Sequence, residues 1–205
     1  MNKSLSKGNP LKQCIMWGND AQFIAFLAKY WDINAKDSDG YTPFYHACFI
    51  GKIPAARILI NMDIKESIET NGLGCICRLC DPETTRIAFE KYGSIFKEQF
   101  YSKVDNGYPI KYLISGDDED KVIETLSILI QNGYDLDATG HDDCPTACEA
   151  ALYIPFPRLE IMEFLLANNV NIDTPFHKSN STPRKYLKYS YNPNITELRK
   201  KYNIQ

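Results

Sequence analysis

No stretch of this 205-residue sequence approaches the roughly 18 consecutive apolar residues that a membrane-spanning helix needs, so no membrane partner is expected. The first twenty residues carry basic charge, and their longest apolar stretch is only four residues, Cys14 to Trp17, too short for a signal peptide. Basic charge is not in excess either. Lys and Arg number 23 against 26 Asp and Glu, a net charge of −3, which gives no ground for a nucleic-acid partner. A phosphate-binding loop is missing, because "NGLGC" (71–75) lacks the downstream Lys-Ser/Thr and a preceding strand. The seven cysteines are an odd number in a chain large enough to fold without staples, which excludes a simple disulfide framework. They read as reduced, mostly buried small apolar residues, and a reducing cytoplasm is the expected compartment.

What the sequence does have is enough apolar residue (44%) for a core, and an uneven charge. Residues 177–205 hold seven Lys and Arg against Glu197 alone, a local +6 that leaves −9 for the remainder. That segment reads as a solvated basic end-helix. The prolines keep a measure: Pro10, Pro43, Pro109, Pro145 and Pro183 are 33, 66, 36 and 38 residues apart, and the midpoint of the double interval is Ile76. A period near 33 signals a repeat architecture. The stretches 21–34, 54–67, 124–137 and 160–173 bear it out, each with apolar residues at helical spacing, a polar break and a tail resembling Asp-Ile-Asn. A helix apolar on one stripe cannot bury that stripe alone, so its neighbours must.

The stretch "DGYTPFYHACFIG" (39–51) shows how one copy is built. Gly40 permits a turn with positive φ, Thr42 caps a helix, and Pro43 takes the first helical position. Ala47 and Cys48 are small enough for close helix approach, and Gly51 suits a left-handed stop. Residues 37–60 resemble an ankyrin repeat, and the resemblance extends unevenly over nearly the whole chain. It implies an all-α ankyrin-repeat solenoid, a single domain over 1–205 with units near 5–36, 37–69, 70–104, 105–138, 139–174 and 175–205. The third unit lacks the Thr-Pro cap, the fourth is one residue short before its proline, and the fifth inserts "YIPFPR" between its helices.

Chemistry-bearing clusters are sparse. Cys75, Cys77 and Cys80 form C-x-C-x-x-C, but zinc needs four ligands and no spacing selects a fourth from Cys48 or Cys144. In the 33-residue register Cys80 falls on the small-residue position and Cys77 on an apolar one, so a structural role is expected, with no metal and no cofactor. His46 lies two residues from Cys48, which on a helix faces elsewhere. His141 sits in an Asp-rich turn, and His177 has no companion. "SGDDEDK" (115–121) lacks the calcium-loop pattern and reads as an acidic helix start. No catalytic residue is expected.

The resemblance implies protein binding through the turn tips and the first helix of each pair. The candidate contact residues are Met16, Trp17, Ser38, Asp39, Tyr41, Phe49, Ile50, Asp105, Tyr108, Asp142, Asp143, Leu152 and Tyr153. Large apolar residues before a closing glycine are unusual at solvent-facing positions and mark contact surfaces. Acid at the turn tips, to which Asp37 adds, would select a basic partner face. The expected role is a non-enzymatic adaptor, monomeric by itself, or an effector that a pathogen or virus directs at host proteins. The alternative is a small enzyme or metal-dependent module built on the divergent third repeat.

Overall fold

The computed structural model describes residues 18–205 apart from 20–21, 24, 27–31, 63, 101–107, 139–144, 153–156 and 177–178. Among the described residues the regular elements are helices, with no strand. The chain divides into two compact units, Met1–Phe96 and Lys97–Gln205.

In the first unit, α1 (Pro43–Phe49) begins as its sequence dictates. Thr42 is extended, its side chain accepts the Tyr45 N–H at 3.2 Å, and Pro43 opens the helix. Gly51 ends it with φ +77, and the bonds Gly51 N–H to Cys48 O and Lys52 N–H to Ala47 O close a Schellman stop. The chain then reverses into α2 (Ile53–Asn61), which buries Ala55, Ala56, Leu59 and Ile60. α3 (Lys65–Leu79) packs across α1, and α4 (Pro82–Gln99) follows. Lys91 of α4 donates to the carbonyls of Ile60 (2.8 Å) and Met62 (2.7 Å), satisfying acceptors freed at the end of α2 and placing a cation at the negative end of its dipole.

The third repeat departs from the register that the prolines suggest. α3 is two helical pieces joined at Asn71, whose backbone (φ −162, ψ 26) leaves the helix. The piece after Asn71 ends at Cys80, which is left-handed (φ +50) as Gly51 is. Counting back from these stops, Cys77 takes the slot of Cys48 and Arg78 that of Phe49, while Asn71 takes that of Thr42. Cys80 is therefore a helix stop and not a small packing residue, and the first helix of this repeat starts four residues earlier than a 33-residue step from Pro43 places it. Gly72 makes the early start possible. A Cβ there would stand 2.8 Å from the ring of Phe96 and 2.9 Å from Ile68, so packing density, not capping, fixes the bend.

In the second unit six helices make three antiparallel pairs: α5 (Pro109–Ile114) with α6 (Glu119–Gln131), α7 (Ala147–Leu152) with α8 (Leu159–Ala167), and α9 (Pro183–Tyr189) with α10 (Pro193–Lys201). The first helices α5, α7 and α9 pack in one row and α6, α8 and α10 in another. All three second helices stop alike. Gly133, Asn169 and Asn203 are left-handed, and the next residue, Tyr134, Val170 or Ile204, returns its N–H to the final turn and is buried. The Asp-Ile-Asn-like tails also have a physical cause. Asp135 and Asn171 each accept the N–H two residues on, and Asp137 reaches the Asn171 N–H of the following repeat at 2.7 Å. In the first unit Asn34 and Ser67, 33 residues apart, make the matching link.

Candidate functional site

The most distinctive surface is on α1. Tyr45 and Phe49 are four apart on one face of α1, and Tyr41 of the preceding turn folds onto the same side. The rings stack: Tyr41 on Tyr45 at 4.0 Å between centroids and 10° between planes, then Tyr45 on Phe49 at 5.7 Å and 17°. The Arg78 guanidinium closes the column 4.7 Å over the Phe49 ring. Phe49 remains 49% exposed, while Tyr41 and Tyr45 are half-buried. Because the rings cover one another's faces, the column offers mainly ring edges to a partner. Edges favour the face of a partner's aromatic ring.

A hydrogen-bonded turn holds the upper end of this column. Asp37 Oδ1 accepts the N–H groups of Asp39 and Tyr41, both at 2.9 Å, and Oδ2 meets His46 Nε2 at 2.7 Å. Gly40 (φ +85) completes the reversal. Burial alone would push the Asp37 carboxyl up, but the His46 bond and the two backbone N–H groups together hold it below the usual carboxylate value. Tyr41 and Tyr45 both meet His46 edge-on, at 5.9 and 6.0 Å, so the imidazole is a post beneath the aromatic column. With side chains 7% and 4% exposed, His46 and Asp37 are committed inward. Asp37 therefore does not belong to an acidic rim, and Ser38 and Asp39 are the exposed residues of this tip.

Of the other sequence candidates, Ile50 is half-buried at the helix end. Tyr108 and Leu152 are buried, at 4% and 3% exposure, and are removed from the surface. Tyr108 occupies the cap position of α5, the slot of the buried Thr42, rather than the tip position of Tyr41. Leu152 is displaced by one slot because Thr146, not Pro145, sets the start of α7: its hydroxyl accepts the Glu149 N–H at 3.1 Å, which puts Leu152 where Cys48 stands in the second repeat. Met16, Trp17, Asp105, Asp142, Asp143 and Tyr153 lie outside the described residues, as do His141, His177 and Cys144. The column's remaining members, Tyr45 and Arg78, were missed by sequence reasoning. The 41-45-49 spacing was available for the first, and only the corrected third-repeat register finds the second.

Four of the five described cysteines lie in the core. Cys48, Cys75, Cys77 and Cys148 are buried and Cys80 is half-buried. Desolvation pushes the Cys48 and Cys77 thiols well up, and with the nearby Asp137 carboxylate it pushes Cys148 up to about 12. Such thiols stay protonated near neutral pH, the form that is neither nucleophile nor metal ligand. Among the described residues no three His, Cys, Asp or Glu side chains converge in a way that would hold a metal ion.

No family model matches the chain, and no curated protein matches it in sequence. Solved structures do match. The human ASB11 ankyrin repeat domain is 14% identical, with 97% of this chain and 85% of that one covered at a TM-score of 0.64. An ankyrin repeat domain from Acinetobacter baumannii is 18% identical over 96% of this chain and 98% of its own, at 0.59. A chain from the complex of the predatory endopeptidase Bd0816 of Bdellovibrio bacteriovorus with the immunity protein Bd3460 is 14% identical, covering 96% and 99%, at 0.61. At these identities the likeness is one of fold: the chain has the all-α ankyrin-repeat fold.

Proposed function

We propose that this protein is a non-enzymatic interaction module that binds a partner protein through the solvent side of α1 and the tip beside it. The observation that carries the reading is the column Tyr41–Tyr45–Phe49–Arg78, an aromatic surface left half-open on a first helix of this fold. Tyr and Arg are the residue types that dominate interface energetics. Exposed Asp39 beside the column favours a partner with a cation near an aromatic or apolar side chain. The finer form of this function is that of an adaptor, or of an effector against host proteins, acting as a monomer in a cytoplasmic setting. Burial of Cys77, which pushes its thiol up, speaks against its use as a nucleophile in the third repeat.

The test is comparative capture from cells of the source organism, read by quantitative mass spectrometry, with wild type, Y45A and F49A. A partner retained by wild type and weakened about tenfold or more by both variants is expected, the effect of a hot spot of about 1–2 kcal/mol. Equal retention by all three proteins would place the binding surface elsewhere.

A further inference from the structure

The last repeat carries its exposed rings in a different state. Four large apolar side chains stand exposed among the described residues, and three of them, Tyr186, Tyr189 and Tyr191, fall within six positions, at 37%, 69% and 100%. Pro183 and Leu187 turn α9 inward, so Lys185, Tyr186, Lys188 and Tyr189 form its solvent side, spaced three and four apart. No ring or hydroxyl contact holds Tyr186 or Tyr191, and Tyr189 has only the Lys188 ammonium 5.6 Å from its ring centre. Unlike the rings of the α1 column, these are not stacked on one another.

The cations of the repeat divide by location. Arg184 is held in a two-pronged bond by Asp173 (2.6 and 2.9 Å), Lys201 is held by Glu163, and Arg199 caps the Lys188 carbonyl. The ammonium groups of Lys185, Lys188 and Lys200 meet no carboxylate, and the first two stand among the exposed rings. Bare rings and unneutralised cations thus share one helix side, within the segment that is +6 in a chain otherwise −9.

From this coincidence we infer that the exposed side of α9 is a second docking surface, independent of the α1 column, for an acidic protein segment whose carboxylates alternate with aromatic or large apolar side chains. Charge complementarity selects an anion, and the unstacked rings require that it also carry apolar surface. A nucleic acid fits less well. The two lysines on this side of α9 neutralise two phosphates, a salt slope of roughly −1.4 on a single strand, and the −9 remainder repels a long polyanion. A short acidic segment meets both lysines, covers the rings and feels little of that repulsion.

The experiment is fluorescence anisotropy on the full chain with three probes: a labelled peptide of about 12 residues alternating Glu with Phe and Leu, an oligo-dT of about 15 nucleotides, and vesicles containing phosphatidylserine. Saturable peptide binding is expected, weakened about tenfold by K185E/K188E, similarly by Y186A/Y189A, and by raising salt from about 50 to about 300 mM. F49A should leave it unchanged, which keeps this result separate from the fate of the α1 reading. Lys185, Lys188 and Tyr189 are solvent-facing, so their substitution should not move thermal melts; if charge reversal disturbs them, K185Q/K188Q gives the reading, and if loss of the 37% exposed Tyr186 does, Y189A alone gives it. Absence of peptide binding, indifference to the variants, tighter retention of the oligonucleotide or of vesicles, or self-association abolished by the same variants would each overturn the inference.

Discussion

The second and third repeats reach the same helical slots by different chemistry. In the second, local hydrogen bonds do the work: Thr42 caps α1, Pro43 starts it, and Asp37 ties the turn to His46. The third has neither cap nor glycine stop. Asn71 stands in the cap slot with its buried Oδ1 making no bond, and Cys80 takes the left-handed stop that Gly51 holds in the second. Its place is fixed instead by Phe96 packed against Gly72, and by Arg57, which binds Asp81 (2.8 Å), Thr84 (3.0 Å) and Glu83 (2.7 Å) at the start of α4. The difference teaches that a repeat can lose its signature and keep its position, provided packing and a half-buried cluster around Arg57 take over the specification.

The largest effect should come from attacking that packing. Phe96 is fully buried and meets Phe89 edge-to-face at 5.0 Å, so Phe96→Ala should cost about 3–5 kcal/mol, measured by urea denaturation. Gly72→Ala should cost about 1–3 kcal/mol through overpacking, and Phe96→Leu in the same chain should recover part of it by shortening the group that the new methyl meets. A harmless Gly72→Ala would show that the bend at Asn71 is not held by close approach.

Asp37 is the counterpart in the second repeat. Its folded carboxyl is held below the ordinary aspartate value of about 3.9, so its contribution is complete above that value and is lost as pH falls through the lowered one. Asp37→Asn keeps a turn acceptor but removes the charge facing His46, and should cost about 1–2 kcal/mol at neutral pH. The gap between wild type and variant should narrow as the pH drops below about 4, because wild type then loses the same charge. Denaturation midpoints that stay a constant distance apart from pH 7 to pH 3 would mean that the carboxylate contributes nothing through ionisation.

How much was legible follows from the same contrast. The second repeat was readable because its devices are local: a cap, a proline and a glycine each act within four residues of where they stand. Two of the three helix pairs of the second unit were readable through the period of their second helices, and the last through the spacing of Pro183. Tyr108 and Leu152 were misplaced because counting from a glycine or a proline ignores which side chain caps the helix, and Thr146 shows that the cap decides. The third repeat was misread by four residues because its determinants are distant in sequence. Nothing near Gly72 announces a partner at Phe96, and nothing near Phe49 announces Arg78.

That last pair joins the two repeats and carries the smallest predicted effect. Phe49 and Arg78 hold corresponding slots, and the guanidinium lies 4.7 Å over a ring that is 49% exposed. Phe49→Ala and Arg78→Ala should each change stability by about 0.5 kcal/mol, as expected of surface positions. The double variant should reveal a coupling of about 0.5–1 kcal/mol, the range of a cation–π contact at a wet site. The value matters for function more than for folding. If the coupling is present, the column is pre-ordered before a partner arrives, and the two substitutions should be non-additive in partner binding as well. If the cycle closes with no coupling, Arg78 merely passes over Phe49, the column ends at the ring, and the third repeat contributes no side chain to the surface that the second presents.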